Sequence, residues 1–164
     1  MKTLALVVGN DAYSGKHKLE NGINDAKAIS ETFEKLGYEV NYIEDCTLDK
    51  FSETLYDFEN KLKGFDTALF YFAGHGFQID NENYLASIDC NLDKINRFNV
   101  NASCIRLIDV LFIFKRVQTK ANIVIIDACR KYLDRGLDSS FSAVTAPKGT
   151  IIAFSTSPGE GAKD

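Results

Sequence analysis

Four consecutive β-branched apolar residues, Ile123-Val124-Ile125-Ile126, constrain this chain more than any other stretch. Such a run suits a strand buried on both faces, as in a parallel sheet covered by helices. It starts after Asn122 and stops at Asp127-Ala128-Cys129-Arg130. Chemistry in open α/β sheets gathers at the carboxyl ends of strands, so Cys129 stands where a nucleophile belongs. An isolated cysteine more often packs as a small hydrophobe, and the assignment therefore needs a second feature.

A second strand end supplies it. Thr67-Ala-Leu-Phe-Tyr-Phe-Ala73 is another short apolar run, and it stops at Gly74-His75-Gly76. The chain has two histidines, and His75 is the one held between glycines at a strand terminus. Glycine permits close backbone approach and conformations that other residues resist. One cysteine and one histidine at the ends of two core strands make a nucleophile and its base geometrically plausible.

The remaining composition excludes several classes. At 164 residues the chain is one domain's worth, and 45 % hydrophobic content with two prolines argues against disorder. Net charge is −4, with Lys and Arg dispersed, so no nucleic-acid footprint is expected. No apolar run is long enough to span a bilayer, and no signal peptide is visible. Cys46, Cys90, Cys104 and Cys129 lack metal-site or disulfide spacing, so the expectation is a cytoplasmic protein without a metal site.

Taken in order, Leu4–Val8 is expected as a strand closing at Gly9-Asn10-Asp11. A polar, exposed stretch follows from Ser14 to Asn21. Asn24 is the expected N-cap of a helix with Ala28, Ile29, Phe33 and Leu36 on one face and Gly37 as its stop. Glu39–Ile43 is a short strand. Leu48 to Leu62 is an amphipathic helix ended by Gly64. Tyr84–Asp89 is extended, Ile105–Val117 a third helix, Lys131–Lys148 irregular and Thr150–Phe154 a last strand. This alternation predicts an α/β fold: a three-layer αβα sandwich with a mostly parallel central sheet.

Four motifs in this order resemble the caspase, metacaspase and paracaspase group of cysteine proteases. They are Ala-Gly-His75-Gly after an aromatic strand, Tyr84-Leu85 before Asp89, Asp127-Ala-Cys129-Arg after an aliphatic strand, and Phe154-Ser-Thr-Ser-Pro-Gly159. His75 lies 54 residues upstream of Cys129, close to the caspase spacing of about 50. The likeness is closest to paracaspases and prokaryotic metacaspases, and it covers residues 1–164 as one catalytic domain.

The resemblance implies an endopeptidase. Cys129 would attack the scissile carbonyl and His75 would move the proton, with the backbone N–H groups of Gly76 and Cys129 as the oxyanion hole. Caspases proper hold an acidic residue through arginines. The matching loop here, Leu19 to Asp25, has none, and Asp127 stands two residues before Cys129. Asp25 and Asp127 match positions where metacaspases and paracaspases carry carboxylates, which implies an S1 pocket for Arg or Lys and a protein or peptide substrate. Glu160 is placed as a further negative charge, and residues 162–164 match a segment that pairs with substrate as an added strand.

The resemblance implies no cofactor and leaves calcium activation open. It also implies a caspase-like fold lacking its C-terminal part: the large-subunit portion and the first strand of the small-subunit portion. A missing segment or separate chain would complete it, with Lys163 a possible self-cleavage point. Two other classes compete. A catalytically silent scaffold or sensor has no chemical use for both His75 and Cys129, and a nucleotide-binding domain would need a glycine-rich phosphate loop that Gly9-Asn10-Asp11 does not provide.

Overall fold

The computed structural model describes residues 1–129 and 141–155, with Cys129 described by its backbone. Arg130, most of the irregular stretch after it, the Thr156 to Gly159 part of the last motif, Glu160 and residues 162–164 lie outside the described residues.

Strands β1 (Thr3–Gly9), β2 (Glu39–Glu44), β3 (Thr67–Ile79), β6 (Ala121–Cys129) and β7 (Thr150–Phe154) form one parallel sheet in the order β2-β1-β3-β6-β7. Two antiparallel strands, β4 (Glu82–Ala86) and β5 (Cys104–Arg106), extend it from the far end of β3.

Helix α1 (Gly22–Lys35) packs on one face, where Ala26 and Phe33 meet Ala5, Val7, Leu69, Tyr71 and Ala73. Helices α2 (Leu48–Leu62) and α3 (Leu107–Val117) cover the other face with a larger core that includes Phe51, Phe58, Phe70, Phe72 and Phe114. Burying each such ring contributes about 1.5–3 kcal/mol, so this face dominates the fold's stability. The three layers are those expected from the alternation of strands and helices.

Several local expectations change. The aromatic strand does not stop at Gly74. It runs through His75 to Ile79 and returns as β4 through Asp80 and Asn81, whose φ values of 51° and 65° define a two-residue turn that matches strand twist. Helix α1 starts at Gly22, not after Asn24, because the Asp11 carboxylate reaches from the β1 loop to accept the Ile23 N–H at 3.1 Å. That external cap satisfies a first-turn donor.

The third helix begins at Leu107, since Cys104–Arg106 pair with β4 first. His17 and Leu19, expected on an exposed stretch, are buried. Finally, Val124 and Ile126 are fully buried against α2 and α3, whereas Ile123 and Ile125 are only partly covered on the α1 side. Among the described residues α1 is the sole helix on that face, and it lies over β2, β1 and β3.

Candidate active site

The register of β3 and β6 runs without a break from Thr67↔Ala121 to His75↔Cys129. Neighbouring strands lie about 4.8 Å apart, so the two backbone positions are adjacent at the carboxyl rim of the sheet. The sequence expectation that these strands are neighbours is met.

His75 is fully buried, and contacts from Tyr13 and His17 help to fix it. Its backbone N–H donates to the Tyr13 hydroxyl at 3.0 Å, and the same hydroxyl donates to the Ala86 carbonyl at 3.0 Å. The Tyr13 ring lies edge-on to the imidazole at 4.5 Å between centroids. Burial pushes the Tyr13 phenol well above its ordinary value, which keeps the proton it needs to bond Ala86. The imidazole Nε2 lies 2.7 Å from the His17 carbonyl oxygen. A carbonyl only accepts, so Nε2 carries the proton and Nδ1 is the basic nitrogen of the neutral ring.

The loop that delivers these partners is itself held. Asp45 Oδ1 accepts the N–H groups of Asp11 and Ala12 at 2.8 Å each, and the Asp11 carbonyl accepts from Tyr13 and Leu19. Short side chains at 74 and 76 are demanded by space rather than by unusual φ. A Cβ on Gly74 would sit 2.6 Å from the Tyr13 hydroxyl, and one on Gly76 would sit 2.5 Å from Phe141 Cζ and 2.9 Å from Ala128 Cβ.

The direction of the Gly76 amide follows from strand alternation. The Ala73 carbonyl accepts from Asn10 at 2.9 Å, and His75 N–H bonds Tyr13, so residues 73 and 75 turn their polar groups toward β1. Gly76 therefore turns its N–H toward the side of β3 on which β6 ends at Cys129. The hairpin register agrees, because counting from the hydrogen-bonded pair Ile79↔Glu82 makes Gly76↔Leu85 a non-hydrogen-bonded pair.

Asp25 and Asp127 come from different elements, the first turn of α1 and the third position from the end of β6. Both act on one buried phenol. Tyr71 donates to Asp127 Oδ2 at 3.2 Å, and its hydroxyl is raised by burial first, then by the Asp127 charge and hydrogen bond, then by the Asp25 charge. Two carboxylates thus flank the same rim. Asp11, Glu20 and Asp45 add negative charge around a neighbouring cavity of roughly 530 Å³ that also takes in Lys18 and Ile23.

A larger cavity of roughly 700 Å³, between α3 and residues 145–149, lies by Lys120 and Gly149, at the opposite ends of β6 and β7 from Cys129. It is remote from the His75 rim.

Sequence reasoning missed Tyr13, His17 and Tyr71. Tyr71 read as part of an apolar run, and Tyr13 and His17 belong to a loop whose contacts reach about sixty residues along the chain. The spacing of Tyr13 from Gly9 offers no local signal. A histidine among lysines at 16 to 18 reads as solvated.

The backbone superposes on solved structures that include a caspase. The Drosophila initiator caspase Dronc matches with a TM-score of 0.67 and 12 % identity, covering 95 % of this chain and 56 % of that one. A Geobacter sulfurreducens protein solved by structural genomics matches at 0.61 and 16 %, covering 80 % of this chain and 52 % of that one. The fold is thus the α/β fold of caspases.

The family model for caspase domains, peptidase family C14, matches residues 2–164, and the chain belongs to that family. Two curated relatives, mucosa-associated lymphoid tissue lymphoma translocation protein 1 of human and its mouse homologue, are 26 % identical over 161 residues, or 98 % of this chain. The chain spans about a fifth of their length, 19 % and 18 %. Among the described residues, no helix is long and apolar enough to cross a membrane.

Proposed function

We propose that the chain is the catalytic portion of a caspase-like cysteine endopeptidase that cleaves after Arg or Lys. The observation that carries this reading is the terminal register pair His75↔Cys129, which joins the family's two motif residues at one rim. Cys129 Sγ would attack the carbonyl carbon while His75 Nδ1 takes the thiol proton. That proton passes to the departing amine as the C–N bond breaks, leaving a thioester that water hydrolyses.

The His17 carbonyl favours the tautomer this needs, with the proton at Nε2 and the basic lone pair at Nδ1. The Gly76 N–H and that of Cys129 would bond the oxyanion, stabilising charge present only at the transition state. The paired charges of Asp25 and Asp127 around Tyr71 support a basic residue before the scissile bond. An acidic one would have to desolvate against them.

Residues 1–164 are read as one catalytic unit, with protein or peptide substrates, no cofactor and a cytoplasmic setting. The partly open α1-side face, where Ile151 is 66 % exposed, supports a further segment or chain lying over β6 and β7. Hydrolysis of fluorogenic peptides ending in Arg, Lys or Asp, by wild type and Cys129→Ala, tests the reading. Cleavage of the Arg and Lys peptides that vanishes in Cys129→Ala is expected. Absence of any Cys129-dependent cleavage would favour a silent scaffold.

A further inference from the structure

We propose that His17 and Asp93 are positioning residues for His75, the hydrogen-bonded His17 side chain pinning the turn whose carbonyl holds the His75 proton at Nε2. The proposal deepens the peptidase reading, since it gives this pair a role through the proton-moving histidine.

The turn needs a pin. His17 closes a three-residue 3-10 turn, Gly15–His17, through one long hydrogen bond from its N–H to Ser14 O at 3.3 Å, and Gly15 has φ of 60°. So short a turn, with exposed lysines on either side, has little rigidity of its own. Yet its carbonyl must keep one position, because only an acceptor at that point selects Nε2–H over Nδ1–H in His75.

The side chain of His17 supplies what the backbone lacks. It is 2 % exposed, and its Nε2 donates to Asp93 Oδ1 at 2.9 Å. Lys16 Nζ lies 3.5 Å from the same oxygen. The His17 hydrogen bond is the largest influence holding the Asp93 carboxyl below its ordinary range. Asp93 belongs to the segment after β4, 76 residues further on, so the pair ties two loops on the His75 side of the sheet.

The two imidazole rings also meet directly, edge to face at 6.0 Å between centroids. The ring that anchors the turn thereby also limits rotation of the ring it serves. A purely structural anchor would have no reason to bring both its carbonyl and its ring against His75.

The test uses the full chain with ¹⁵N-labelled histidine, in which two imidazoles report and His17→Gln assigns them. Asp93 is 58 % exposed at its side chain, so Asp93→Ala should fold. Above the imidazole titration range, wild type should show His75 as the Nε2–H tautomer, and Asp93→Ala a mixture with Nδ1–H. On an Arg peptide, Asp93→Ala should lower kcat roughly ten- to a hundredfold with KM within about twofold, the pattern of lost orientation.

Asp93→Asn, which keeps an oxygen acceptor, should recover most of the tautomer and the rate. Unchanged His75 nitrogen shifts or an unchanged kcat in Asp93→Ala would overturn the proposal. The failures separate: a wild-type chain without hydrolysis removes the peptidase reading, while the nitrogen shifts still decide whether Asp93 positions His75.

Discussion

His75 and Cys129 close the parallel pairing of β3 and β6 as its last in-register partners, and from Gly76 onward β3 pairs with β4 instead. The change of partner falls just where β6 ends. Under the proposed peptidase reading, a peptide backbone would meet β3 at this change of partner.

Gly76 tests how tightly that corner is built. In Gly76→Ala the new methyl would meet Phe141 and Ala128 at 2.5 and 2.9 Å, and both neighbours are buried. Overpacking of this kind costs about 1–3 kcal/mol, so urea denaturation should show a loss in that range together with reduced peptide hydrolysis. Gly64→Ala, whose nearest neighbour would be 4.0 Å away, should shift stability by less than about 0.5 kcal/mol.

Tyr13→Phe keeps the ring against His75 but removes the hydroxyl that bonds His75 N–H and Ala86 O. The buried His75 N–H would lose this acceptor, whereas the Ala86 carbonyl keeps the Asn10 side-chain donor at 3.1 Å, so the loss should cost about 1–3 kcal/mol. Thermal denaturation measures the loss. A variant as stable as wild type would show that water replaces the hydroxyl.

Specificity should follow charge at the rim. Asp127→Asn retains shape and an acceptor for Tyr71 while removing the charge that helps raise that phenol. The kcat/KM for Arg peptides should fall by about tenfold or more, at least ~1.4 kcal/mol, with little change for a neutral residue at the same position. An equal fall for both would assign Asp127 to structure alone.

Alkaline stability should carry the mark of Cys46. Burial pushes its thiol up to about 11. A thiol whose folded pKa is raised contributes fully below its unfolded value. Its contribution is lost as pH climbs from about 9 toward the folded value, here about 2–3 kcal/mol in all. Cys46→Ser does not titrate there, so its stability should decline less over pH 9–11 in urea titrations. Parallel curves would place the decline on the buried tyrosines, whose raised values act at higher pH.

The sheet, its helices and the His75 and Cys129 pair were legible because hydrophobic period and strand termini are local signals. Ile123 to Ile126 mark β6 whatever the rest of the chain does. The supports were not legible. His17 reaches His75 over 58 residues and Asp93 over 76, and no pattern near 17 encodes either contact. The end of β3 was misplaced for a related reason: glycines at 74 and 76 read as strand breakers, whereas tertiary crowding by Tyr13, Phe72, Phe141 and Ala128 requires them inside a continuing strand. Partial exposure of Ile123 and Ile125 depends on how far α1 extends across the sheet, which a single strand's sequence does not state.

Covalent capture tests the central claim most directly. A peptidyl electrophile ending in Arg should label wild type at a single cysteine, identified by peptide mass mapping as Cys129. Cys46, Cys90 and Cys104 are buried and should stay unmodified. The label should be lost or slowed by orders of magnitude in His75→Ala, and an Asp-ended analogue should not react. Labelling at another cysteine, or at Cys129 with the same rate in His75→Ala, would contradict the account.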